Sequence, residues 1–242
     1  YHHNWQQSSR DIVENEDGTF LVAGFTENQI FEDMDLYVLK IDANGDTLWT
    51  KSYGGSEPEY AYHILPYNND YYIIGYSQSF GGGDYDVYLI KINESGDTLW
   101  TRTYGGWGNE EGREIILTAD NHLAFVGYSN SAELNNTDIF ITKIDLNGNE
   151  IWTKYIGGQD KEFGNSIKLC NDGGFIIGGE TFSYDRGDGD AFLIRTDANG
   201  DTLWTKTYGG NLADEIKSIV CNTDGTFTMA IRDSSTGAGD ID

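Results

Sequence analysis

Short apolar runs alternate along this chain with clusters of Asn, Asp and Gly, and none of the runs is long enough or has the period for a helix. Runs of this length, rich in β-branched and aromatic residues and bounded by turn residues, predict strands. Four kinds of run recur in a fixed order. The first contains Ile64-Leu65, Ile115-Ile116-Leu117, Ile167-Lys168-Leu169 or Ile219-Val220 and leads into a turn such as Asn171-Asp172-Gly173. The second covers 20–25, 71–76, 123–128 and 175–179, and the third, about ten residues later, covers 37–41, 88–92, 140–144 and 192–196. The turn after it, Asp42-Ala43-Asn44-Gly45 and its copies, begins with Asx and places Gly where a left-handed residue closes a hairpin. A fourth run then carries a Trp.

That fourth run is the strongest signal. Leu-Trp-Thr-Lys-Ser-Tyr-Gly-Gly at 48–55 returns with small changes at 99–106, 151–158 and 203–210, and Trp49, Trp100, Trp152 and Trp204 lie 51, 52 and 52 residues apart. A unit repeating at fixed period buries its apolar faces against its neighbours. Four antiparallel strands per unit without a helix predict an all-β fold, a β-propeller of four-stranded antiparallel blades with four complete repeats and a partial fifth. The repeats run over about 1–52, 53–103, 104–155, 156–207 and 208–242, forming a single propeller domain or a propeller fragment. A β-solenoid has shorter rungs, and a sandwich does not repeat at fixed period. Trp and Tyr of the fourth run, four residues apart, share a face and are expected between neighbouring blades. Both ends of the sequence cut a repeat, so the expectation is a part of a longer protein.

Charge narrows the partners. Forty acidic residues against fifteen basic give a net charge of −25, which repels phosphate backbones and anionic lipid headgroups and excludes nucleic acid as a partner. No apolar run approaches the length that spans a bilayer, so no membrane insertion is expected. Cys170 and Cys221 fall at nearly the same place in consecutive repeats, on equivalent strands of adjacent blades; the reading is buried small hydrophobes, with a disulfide the less favoured alternative.

The connections between second and third strands, 26–35, 77–86, 129–138 and 181–190, keep their length while their sequences differ, which marks them as binding loops. They end on carboxylate pairs, Asp33 with Asp35, Asp84 with Asp86 and Asp188 with Asp190; a further acidic residue, Glu59, Glu110, Glu162 or Asp214, precedes the next first strand on the same face. Two readings stand for these groups. Carboxylates with backbone carbonyls form a calcium site in each blade, or short acidic side chains cap backbone amides without a metal. Phe31, Phe80 and Tyr184, with Arg186, are the ligand-binding candidates, as aromatics beside carboxylates suit a sugar ring; folding back onto the blade edge is the alternative. No catalytic residues are assigned. His63 and His122 have no nucleophile motif nearby, and an active site is normally built once rather than in every repeat. A glycoside-cleaving carboxylate pair remains an alternative.

The segment 86–106 and Asp172-Gly173-Gly174-Phe175-Ile176-Ile177-Gly178-Gly179 resemble the Trp-x-x-x-Tyr-Gly-Gly repeats of large secreted bacterial β-propeller proteins, and the resemblance covers nearly the whole chain. It implies an extracellular or cell-surface setting but no common activity. The resulting expectation is a non-enzymatic binding or adhesion module. Its acidic loop face would meet a glycan, a protein or another copy of itself. A structural spacer is the alternative, and a polysaccharide-active enzyme a third reading.

Overall fold

Strands form where the runs predict them. The computed structural model describes residues 7–27, 34–131, 136–184 and 188–234, and every strand among them is paired antiparallel. The first sheet contains β1 (Gln7–Glu14), β2 (Phe20–Glu27), β3 (Met34–Ile41) and β4 (Thr47–Tyr53); the second contains β5 (Glu59–Tyr67), β6 (Asp70–Ser77), β7 (Asp86–Asn93) and β8 (Thr98–Tyr104). The third holds β9 (Glu110–Leu117), β10 (Leu123–Ser129), β11 (Asp138–Ile144) and β12 (Glu150–Ile156), and the fourth β13 (Glu162–Leu169), β14 (Phe175–Thr181), β15 (Asp190–Thr196) and β16 (Thr202–Tyr208). A hairpin of β17 (Asp214–Cys221) and β18 (Phe227–Asp233) follows. Each sheet is a meander with its strands in chain order.

The turn from third to fourth strand has the predicted chemistry. Gly45 takes φ +87° and its N–H donates to the Asp42 carbonyl, while Asp42 Oδ1 accepts the N–H groups of Asn44 and Asp46 at 2.8 and 2.9 Å. These amide bonds hold the Asp42 carboxyl below its ordinary range. The same atoms close the turns at Asn93, Asp145 and Asp197. The turn needs no ion, since backbone amides occupy the carboxylate.

First strands carry a β-bulge, at Ser9/Asp11, Ala61/His63, Gly164/Ser166 and Ile216/Ser218. The extra residue brings the bulged backbone onto the second strand, so a side chain on Gly24, Gly75 or Gly179 would collide with the carbonyl oxygen of Ser8, Tyr60 or Phe163. Beyond the bulge, side chains of one first strand hold the amides of the next: the Ile64 N–H donates to Asp11 Oδ2 and the Ile167 N–H to Glu114 Oε2, both at 2.8 Å, and the Ile219 N–H to Ser166 Oγ at 3.2 Å.

By internal contacts the chain divides into two compact units, Tyr1–Gly112 and Arg113–Asp242. In the first, Leu21, Leu36, Val38, Ile64, Ile73 and Ile90 form a dry core with Trp49 and Tyr53 packed against it. The Tyr53 hydroxyl donates to the Gly96 carbonyl at 2.6 Å, and Gly96 lies against the Trp49 ring. Trp49 and Tyr53 of this fourth strand therefore pack onto the following sheet, as expected for this pair. In the second unit one core gathers Val126, Ile139, Ile141, Ile167, Ile177 and Phe192, and another Ile176, Leu193, Ile216 and Ile219. Each such buried aliphatic side chain contributes about 1.5–3 kcal/mol, so contacts between sheets, more than the hairpins themselves, hold the strands.

Candidate functional site

Two kinds of carboxylate arrangement emerge, one repeated and one built once. The repeated one lies under the Tyr-Gly-Gly linker. Asp35 with Glu59, Asp86 with Glu110, Asp138 with Glu162 and Asp190 with Asp214 form pairs whose members are 0–6% exposed. The first linker glycine (54, 105, 157 or 209) rests directly on both carboxylates, leaving no room for a Cβ. The second donates its N–H to Glu59, Glu110 or Glu162 at 2.8 Å, or to Asp214 at 3.0 Å. Glu59 and Glu162 also accept the hydroxyls of Ser77 and Thr181. Within the third pair Asp138 Oδ1 receives no donor from the described residues. Burial, the Glu162 charge and a hydrogen bond to Glu162 push Asp138 up to about 6, so Asp138 holds its proton in mildly acidic solution. An arrangement present at every joint holds the backbone together; it is not a single reaction centre.

The second arrangement breaks the repeat. After the recurring glycine of the second strand stand Phe25, Tyr76, Tyr128 and Glu180, and the fifth copy has Ile231-Arg232 at these positions. On β14 Glu180 pairs across the hairpin with Phe163 of β13, and on β17 Glu215 pairs with Arg232 of β18. Burial first, and then the charge of Glu215, push Glu180 up to about 7, against smaller opposing effects of Lys217 and Arg232. Glu215 is differently placed. Lys217 Nζ lies 2.6 Å from its Oε2 and an Arg232 nitrogen 3.8 Å, while Asn165 Nδ2 donates to its Oε1 at 2.8 Å. One carboxyl is therefore held protonated near neutrality beside another that is ion-paired, which is the separation of roles that acid–base chemistry requires. Aromatic rings flank Glu180. Phe163 contacts Tyr128 edge-on at 4.9 Å and Phe182 at 6.3 Å between centroids, and Arg113 lies over Tyr128. The backbone of Gly189 closes against Glu180 Oε1.

The predicted residues distribute unevenly over these features. Asp35, Asp86 and Asp190 join the buried pairs, whereas Asp84 and Asp188 point to solvent. Asp33, Phe31 and Arg186 lie outside the described residues. Among the described residues no group of three or more His, Cys, Asp or Glu side chains is gathered to hold a metal ion. Phe80 stacks on Tyr88 at 5.5 Å and Tyr184 packs on Phe192 at 5.7 Å, so both fold back over the linkers while staying 41% and 53% exposed. Neither Glu180 nor Glu215 is among the residues singled out from the sequence. In the aligned copies Glu180 stands where the first three have Phe25, Tyr76 and Tyr128, whereas Glu215 has a counterpart in Glu111.

No known protein-family signature matches the chain. The regulatory protein FlaEY of Caulobacter vibrioides is 28% identical over 165 residues, 58% of this chain, which spans 17% of that protein. Among solved structures, puromycin hydrolase matches 94% of the chain and 36% of its own length with a TM-score of 0.58 at 12% identity. The endo-arabinase of Bacteroides thetaiotaomicron matches 96% of the chain and 90% of its own, with a TM-score of 0.55 at 10% identity. The β-1,2-mannobiose phosphorylase of Listeria innocua matches 99% and 89%, with a TM-score of 0.52 at 11% identity. Likeness at such identity concerns the fold. Even so, it overturns the expectation of a non-enzymatic binding or adhesion module: the architecture of this chain is one it has in common with enzymes, two of which are named for carbohydrate substrates.

Proposed function

We propose that the sheets are blades of a β-propeller and that the chain is, or contributes to, a carbohydrate-active enzyme that cleaves glycosidic bonds. Glu180 is the general acid and Glu215 its carboxylate partner. The observation that carries this reading is the pairing of Glu180, poised at about 7, with the ion-paired Glu215, at positions where the other repeats have no such pair. Protonated Glu180 gives its proton to the departing glycosidic oxygen as the bond to the anomeric carbon breaks. Glu215 takes a proton from the water whose oxygen forms the new bond. Lys217 and Asn165 fix the Glu215 carboxylate in place. Phe163, Phe182 and Tyr128 offer the apolar faces on which the C–H surface of a sugar ring packs, and few polar groups among aromatic walls are what ligand sites are made of. A secreted or surface setting, implied by the repeat resemblance, suits a polymeric substrate.

A panel of aryl glycosides and polysaccharides, arabinans and β-mannans included, tests the proposal, with and without inorganic phosphate to separate hydrolysis from phosphorolysis. The expected result is turnover of at least one substrate that falls about 10²-fold or more in Glu180→Gln. Turnover that survives both Glu180→Gln and Glu215→Gln would overturn the assignment, as would no turnover across the panel.

A further inference from the structure

Cys170 and Cys221 stand apart from the site and have no part in the chemistry above. Cys170 directly follows β13, its N–H bonded to the Gly174 carbonyl at 2.8 Å, and Cys221 ends β17 opposite Phe227. Both pack against one core cluster with Ile176, Ile216 and Ile219. The two thiols are near enough to interact, and both are free. They line a cavity of about 380 Å³ together with Asn171, Arg195, Trp204 and Phe227. Two neighbouring thiols 51 residues apart in sequence (221 − 170), packed on one core cluster and lining one cavity, are placed for a cross-link.

We propose that Cys170 and Cys221 form a reversible disulfide that ties β17 to β13. A low-molecular-weight disulfide is the oxidant: one protein thiolate attacks it and releases one thiol, and the second protein thiolate displaces the other. The protein loses two electrons and two protons, and the small disulfide becomes two thiols. Burial pushes the Cys170 thiol up to about 11, which makes the exchange slow at neutral pH and leaves the reduced form as the resting state without an oxidant. The link matters because β17 carries Glu215 and Lys217 while β13 carries Phe163 and Asn165, so oxidation fixes the two strands that meet at the site. The proposal does not depend on the hydrolytic reading, since its readout is the thiols.

Incubating the intact chain with oxidised glutathione, followed by non-reducing peptide mapping and thiol titration, tests it. The expected result is a linked peptide pair holding Cys170 and Cys221, loss of both free thiols, and a melting temperature several degrees higher that dithiothreitol reverses. Cys221→Ser should take up a single glutathione with no rise in melting temperature; if that variant fails to fold, the wild-type map decides alone. Thiols that stay free, or two glutathione adducts without a cross-link, would overturn the proposal.

Discussion

At the scale of the residue, Glu180 makes a claim about stability as well as chemistry. Its carboxyl titrates at about 7 in the folded chain, against about 4.3 when unfolded. Below the unfolded value both states hold the proton and the residue costs nothing. Between the two values only the folded state keeps it, so stability falls as pH rises through this window, and the full cost is present above 7. Glu180→Gln keeps the shape and cannot ionise. It should melt with wild type near pH 4 and above wild type at pH 8, where thermal scans on both proteins measure the difference directly. Asp138 adds the same sign up to about 6 in both proteins and cancels in the comparison. The activity of wild type should decline above pH 7 as the acid loses its proton, a limb that a pH–rate profile reads.

At the scale of the element, the bulged hairpin is the most demanding part of each unit. Gly75 faces the Tyr60 carbonyl, and backbone cannot step aside as a side chain tip can. Gly75→Ala is expected to cost about 3 kcal/mol, seen as a lower midpoint in urea without a change of slope. The bulge also explains what the sequence conceals. Second, third and fourth strands and their turns were legible because alternation and Asx-Gly chemistry are local. The buried acids were partly legible too, since loop ends and strand starts could be placed on one face. First strands were legible as strands, but the facing of their side chains was not. An inserted residue between Gly164 and Ser166 or Ile216 and Ser218 breaks the two-residue alternation, so the side on which Asn165, Glu215 and Lys217 emerge does not follow from spacing. Glu180 was hidden for a different reason. Its column is aromatic in the first three copies, and only the register shows Glu180 opposite Phe163 and close to Glu215.

At the scale of the whole chain, a net charge of −25 opposes compaction. Fifteen basic residues cannot neutralise forty acids, and pairs such as Lys51 with Asp97 at 2.7 Å and Lys154 with Asp201 at 2.8 Å are exposed enough to contribute little. Raising salt shortens the screening length from about 30 Å at 0.01 M to about 10 Å at 0.1 M. The melting temperature should therefore climb with sodium chloride over this range, and a flat or falling curve would mean that local ion pairs outweigh the general repulsion. The linker joints carry a different consequence, one for heredity. Each is closed by the same few groups: an Asp from a third strand, two glycines, and an acid from the next first strand. A gene encoding such units can lose or gain one by unequal crossing-over between matching codons, and the new junction closes at once because both halves of the clasp are already encoded. Drift at the first glycine is then restrained by an aspartate about twenty residues upstream, so the two positions should change together or not at all.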